Sequence, residues 1–139
     1  MLKVKIYTIG KCKESWLQEA IDEYEKRLSH HIQVEWILAK NEEELQNKII
    51  SPFICLDVQG ELVDSIHLSK KLMKLFEIGG SRLHFLIGGA HGIPKTLLEK
   101  SIWKWSLSPL TFTHQMTRLL LLEQLYGAQE IAEGTSYHK

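Results

Sequence analysis

Apolar and charged residues alternate through Leu2-Lys3-Val4-Lys5-Ile6, and the run ends at Gly10, the period of a half-buried strand meeting a turn. From Glu14 to Leu28 the period changes. Leu17, Ala20, Ile21, Tyr24 and Leu28 recur at helical spacing, and Asp22 stands four residues before Lys26, so an amphipathic helix with an i,i+4 ion pair is expected. Ile32 to Ala39 predicts a second strand, and Asn41 is placed to cap a short acidic helix. The apolar run Phe53 to Val58, introduced by Pro52, predicts a third strand ending at Gly60. Asp64 or Ser65 caps a helix with Leu68, Leu72, Leu75 and Phe76 on one face and Gly79-Gly80 at its close; Leu83 to Ile87 predicts another buried strand. Strands separated by helices of this length are joined by crossovers, so the predicted fold class is α/β with a mainly parallel sheet flanked by helices on both faces.

A last helix is expected from about Thr113 to Glu133. Met116, Leu119 to Leu122, Leu125, Tyr126, Ala128 and Ile131 cover almost its whole circumference, so little of it is left to face water. Dimerisation through this helix is the simplest resolution, and a surface for another protein the competing one. Arg118 lies inside this apolar stretch, which calls either for a salt bridge to Glu123 or another carboxylate, or for a functional site.

Composition narrows the classes. The 139 residues suffice for one compact domain, spanning 1–139, with an ordinary apolar fraction of 44% and charged fraction of 24%. Lys+Arg and Asp+Glu balance at 17 each, so no overall basic field attracts polyanions, and any RNA contact has to be local. Cys12 and Cys55 are far apart and no signal peptide opens the chain, which predicts a cytoplasmic protein with reduced thiols. The longest apolar run, Leu119 to Leu122, predicts no membrane span. The histidines His30, His31, His67, His84 and His91 stand in no metal-ligand spacing, so no metal is expected.

Two segments offer chemistry. Gly88-Gly89-Ala90-His91-Gly92-Ile93-Pro94 follows a strand and precedes a helix that Pro94 can open, and its glycines permit close backbone approach to a ligand. A phosphate-cradling loop needs Lys and Ser/Thr directly after its last glycine, whereas Ile93 and Pro94 intervene before Lys95-Thr96; a nucleotide-hydrolysing site is therefore disfavoured. The segment is otherwise a ligand loop or a plain strand-to-helix turn. Trp105 to Arg118 is rich in hydroxyls and broken by Pro109, so its backbone can meet an adenine edge between apolar walls from Leu107, Leu110 and Phe112, or it is an ordinary capped approach to the last helix. The closing Tyr137-His138-Lys139 places a histidine where a folded tail would carry a proton acceptor.

Ile87-Gly88-Gly89-Ala90-His91-Gly92, Trp105-Ser106-Leu107-Ser108 and Thr111-Phe112-Thr113-His114-Gln115-Met116, with Arg118, Glu123-Gln124 and Tyr126, together resemble the ribosomal large-subunit methyltransferase H family of the SPOUT class. The similarity runs from Gly10-Lys11 to Tyr137-His138-Lys139. The resemblance implies a parallel α/β domain whose C-terminal part threads a trefoil knot, a homodimer packed through the last helix, and methylation of N3 of a pseudouridine in large-subunit (23S) ribosomal RNA on the assembled ribosome. It implies that Leu56, Gly88, Gly89, Leu107, Ser108, Pro109, Leu110, Thr111 and Phe112 hold S-adenosylmethionine. It also implies that His138, Tyr137 and Arg118 serve the reaction, and that His114 and Lys11 meet the RNA. One departure is Gly127, where the family commonly has Arg after the tyrosine of E-Q-x-Y-R-A, and it motivates the alternative of a non-catalytic RNA- or ribosome-binding module on the same fold. The segment between the second strand and Pro52 is also shorter than is usual there.

Overall fold

A computed structural model describes residues 1–136. Within them β1 (Leu2–Ile9), β2 (Ile32–Ala39), β3 (Ile54–Leu62), β4 (Arg82–Ile87) and β5 (Trp103–Ser106) form one sheet in the order β2-β1-β4-β3-β5, with every neighbouring pair parallel. The helices are α1 (Ser15–Leu28), α2 (Glu42–Lys48), α3 (Ser65–Ile78), α4 (Lys95–Lys100) and α5 (His114–Ala132). The α/β class and the mainly parallel sheet flanked by helices are thus as the periodicity predicts.

Local chemistry explains the boundaries. The Asn41 side chain accepts from Glu44 N, that of Asp64 from His67 N and that of Thr113 from Met116 N, each satisfying an orphan amide of the helix that follows. Pro94 sits one position before α4 rather than inside its first turn. The expected Asp22–Lys26 pair does not form: Asp22 accepts from Gln18 Nε2 at 2.8 Å, and the i,i+4 ion pair of α1 is Glu23–Arg27 at 3.0 Å.

Two features were not expected. β3 continues past Gly60 to Leu62, because a side chain at Gly60 would lie 2.6 Å from the carbonyl of Lys104, and only glycine lets β3 approach β5 there. The Leu56↔Trp105 register is followed by Glu61↔Trp105, so the residues between bulge out of the ladder. β5 itself is a four-residue strand with Trp103, Trp105 and Ser106 buried, and it takes in the first two residues of the hydroxyl-rich segment Trp105 to Arg118. Its indoles stack at 5.4 Å, and Trp103 Nε1–H donates to Glu61.

The main core lies on one sheet face, where Val4, Ile6, Leu83, Phe85 and Trp105 meet Leu17, Ile21, Leu68, Leu72, Leu121, Leu122 and Leu125 of α1, α3 and α5. α5 is fastened to both neighbours, Tyr24 O–H donating to Glu123 at 3.0 Å and Ser69 O–H to the Ala128 carbonyl at 2.7 Å. Leu121, Leu122, Leu125 and Ala128 are buried within one chain, and Met116, Leu119 and Tyr126 are half-buried against the same core, so much of the all-round apolar pattern is satisfied without a second copy. Gly127 is also buried on α5, which puts the family departure on a packed face. On the other sheet face a smaller core of Tyr7, Ala39, Phe53, Cys55 and Leu86 is covered by Leu45 of α2 and Leu97 of α4. These helices have only 7 and 6 residues, and the N-terminal half of that face stays open. Among the described residues no helix is long and apolar enough to cross a membrane.

Candidate functional site

In parallel α/β sheets ligands gather at the carboxyl ends of the strands, where the βα loops fan apart. Here the ends of β3, β4 and β5 surround a cleft with adjoining lobes of about 170, 110 and 440 Å³. The first is lined by Ile87, Gly88, Gly89, Gly92, Phe112, His114 and Thr117, the second by Leu107, Leu110, Thr111 and Phe112, and both by Leu56, Asp57 and Val58. The third lies between Val63 to Ser65, Trp105, Leu107, Phe112 and the α5 residues Leu120 and Gln124. Its size falls within the usual ~300–1,000 Å³ of small-molecule sites.

The two segments singled out from the sequence therefore face each other across one cleft. Gly89 and Gly92 form an antiparallel bridge, with Gly92 N–H donating to the Gly89 carbonyl at 3.0 Å, and Gly92 takes a left-handed φ of +81°. A side chain at Gly88 would stand 2.5 Å from the Gly92 carbonyl carbon, so the tight return of this loop requires glycine. The opposite loop is shaped by its serines: Ser106 O–H donates to the Ser108 carbonyl at 2.9 Å, and Ser108 Oγ accepts from Leu110 N at 3.0 Å. Leu110 is 70% and Phe112 38% exposed, two apolar walls standing in water at the edge of the cleft.

Leu56, Gly88, Gly89, Leu107, Leu110, Thr111, Phe112 and His114 thus lie together. Ser108 and Pro109 shape the loop, with Pro109 exposed and the Ser108 hydroxyl committed to its own backbone. Sequence reasoning missed Asp57, Val58 and Thr117; the first two sit in the β3 bulge, which the alternation did not reveal, although their place at a strand's carboxyl end was a usable signal. His114 Nδ1 is buried with no hydrogen-bond partner among the described residues. Burial, then the charges of Arg118 and Lys13, pull its pKa below the ordinary histidine value, so it is neutral at pH 7.

Arg118 is held by main chain and not by a carboxylate. It is only 2% exposed, and one guanidinium nitrogen donates to the carbonyls of Ile9 and Gly10, both at 2.9 Å, in place of the expected carboxylate, while Nε has no hydrogen-bond partner among the described residues. Gln115, one turn earlier, donates to the Lys11 carbonyl and accepts from Lys13 N, both at 3.1 Å. The start of α5 therefore grips the loop after β1 through its main chain and leaves the Lys11 side chain exposed. Tyr137 and His138 lie outside the described residues. Cys12 and Cys55 are free, and burial pushes the Cys55 thiol up to about 11. Among the described residues no group of three or more His, Cys, Asp or Glu side chains is arranged to hold a metal.

The family model described as "Predicted SPOUT methyltransferase" matches residues 2–138. A Protochlamydia amoebophila protein named Ribosomal RNA large subunit methyltransferase H is 48% identical over 141 aligned positions, covering 100% of both chains. Proteins of the same name from Synechococcus sp. and Acetivibrio thermocellus are 40% and 37% identical, covering 99% of this chain and 96% and 100% of theirs.

Proposed function

The chain belongs to the SPOUT methyltransferase family, and from that premise we propose that its cleft binds S-adenosylmethionine and that the protein methylates N3 of a pseudouridine in large-subunit ribosomal RNA. The observation that carries the reading is the meeting of the glycine loop and the Leu107–Phe112 loop over Leu56. The donor set fits the molecule. Gly88 and Gly89 bring main chain without side chains to the cleft wall, the main chain of Leu107 to Phe112 offers donors and acceptors to an adenine edge, and Leu110 and Phe112 supply apolar cover. The loops belong, in this reading, to a C-terminal trefoil knot.

When bound, S-adenosylmethionine supplies a methyl group already activated on its sulfonium, exchanging a sulfur–carbon bond for a bond to N3, so the protein has to align the base and receive the N3 proton. His138 takes that proton and Tyr137 positions the base. Neutral His114 beside the glycine loop presents an imidazole to the incoming nucleotide. Arg118 and Gln115 act at one remove, setting the Lys11 loop against which the RNA docks. Phe112 and Leu110 close over the ligand and exclude water. The working unit is a cytoplasmic homodimer packed through α5, acting on assembled ribosomes through one domain spanning 1–139.

The test is nucleoside mass spectrometry of ribosomal RNA from cells with and without the gene. Loss of one N3-methylpseudouridine on deletion is expected. An unchanged modification would leave only the non-catalytic binding module.

A further inference from the structure

The open half of the second sheet face carries a concentration of positive charge that the methyltransferase cleft does not use. Strand register sets Lys3 opposite Arg82 and Lys5 opposite His84, all four on one face at the N-terminal ends of β1 and β4. At strand spacings they occupy a rectangle of about 7 by 5 Å. With Gln33, Glu35 and Ile50 they line a cleft of about 390 Å³. Like charges directly opposite one another destabilise a sheet. Partial relief comes from Glu35, set in register with Lys5 on β2, yet among the described residues no carboxylate lies within 4.0 Å of Lys3, Lys5 or Arg82. His84 is anchored by a 2.9 Å hydrogen bond between Nδ1 and the Ile50 carbonyl. In a chain of zero net charge such a cluster is a local field and not the by-product of a basic composition.

We propose that this patch binds phosphate groups of the RNA backbone, as a second contact that holds the substrate while its base is presented at the strands' opposite ends. The proposal rests on the RNA-methyltransferase reading and adds to it where the RNA runs. β4 links the two places: from Arg82 to Gly88 the extended chain covers about 20 Å. An RNA of several nucleotides reaches both; a mononucleoside does not. A phosphate backbone fits because the cations are spaced points around an open cleft whose apolar lining is confined to Ile50 and the buried Val4, the pattern of positioning contacts rather than of base or protein recognition.

The variants Lys3→Gln/Arg82→Gln and Lys3→Glu/Arg82→Glu, with charge-preserving Lys3→Arg/Arg82→Lys, test it. Co-sedimentation with large ribosomal subunits is measured across a KCl series, alongside KM and kcat for methylation and calorimetric affinity for S-adenosylmethionine. Expected is a salt slope lower by about two for the glutamine pair and binding weaker by roughly tenfold or more near 0.1 M salt. KM should rise, kcat and cofactor affinity should stay unchanged, and the charge-preserving pair should behave as wild type. Wild-type binding and slope in both charge-removing variants would overturn the proposal while leaving methylation intact. Weakened binding with an unchanged slope would assign the patch to a ribosomal protein and equally overturn it. A wild-type protein that neither sediments with subunits nor methylates them would instead remove the reading on which the proposal rests.

Discussion

Gly88→Ala places one methyl group where the glycine loop closes on itself. The new Cβ would lie 2.5 Å from the Gly92 carbonyl carbon, 2.7 Å from its oxygen and 2.9 Å from Ile93 N, all main-chain atoms that cannot rotate away. Reaching ordinary contact near 3.4 Å requires the loop to open by about 0.9 Å. Overpacking of this kind costs about 1–3 kcal/mol. For a chain of this size that lowers Tm by roughly 4 °C per kcal/mol. The same displacement separates the glycine loop from Phe112 across the cleft, and a shift near 1 Å at a positioned site weakens function by the order of tenfold to a hundredfold. Calorimetric titration with S-adenosylmethionine and differential scanning calorimetry read the two effects. The control is Gly80→Ala. Gly80 has a φ of +65° in the turn after α3 with nothing within 4 Å of an added Cβ, so it loses stability through backbone strain of about 1–2 kcal/mol but keeps its cofactor affinity. Gly88→Ala with wild-type Tm and affinity within twofold would refute the assignment of this loop to the ligand.

Other consequences follow from particular contacts. Arg118→Ala removes both hydrogen bonds to the end of β1 and leaves a void, and should cost about 3 kcal/mol in urea unfolding; a loss below about 1 kcal/mol would show that the grip on Ile9 and Gly10 is not structural. His138→Ala should abolish methyl transfer while binding cofactor nearly as wild type, and unchanged turnover would remove His138 from the reaction. Because burial lowers the His114 pKa in the folded chain, its neutral form favours folding above pH 6.5, and that contribution falls away as pH drops below 6.5 towards the lowered folded-state value. The stability difference between wild type and His114→Gln should therefore change in that window, and parallel pH profiles would contradict the burial. With Cys55 buried and its thiol raised to about 11, a thiol reagent at pH 8 should modify Cys12 quickly and Cys55 only on unfolding; two equally fast thiols would contradict the core around Leu86 and Leu97.

The elements with long regular patterns were legible from the sequence. The α1, α3 and α5 periodicities and the Asn41 and Asp64 caps placed helices to within a residue or two, because these signals are local. β5 escaped because four residues carry too little pattern, and its strand character comes from pairing with β3 across a glycine forty residues away in sequence. The β3 bulge escaped for the same reason, taking Asp57 and Val58 with it. Each loop of the cleft taken singly is indistinguishable from a turn, and only the sheet order brings the two together. Arg118 shows where local reading fails: a cation within an apolar helix suggested a carboxylate partner or a reacting group, and the fold gave it two main-chain carbonyls at the end of β1.

The most direct measurement is transfer of isotopically labelled methyl from S-adenosylmethionine to purified ribosomes that lack the modification, followed by mass-spectrometric mapping of the label in their RNA. The proposed function predicts label on N3 of one pseudouridine in the large-subunit RNA, dependent on Gly88 and on His138. Label that never appears on intact ribosomes, or that appears on a different base, would contradict the assignment.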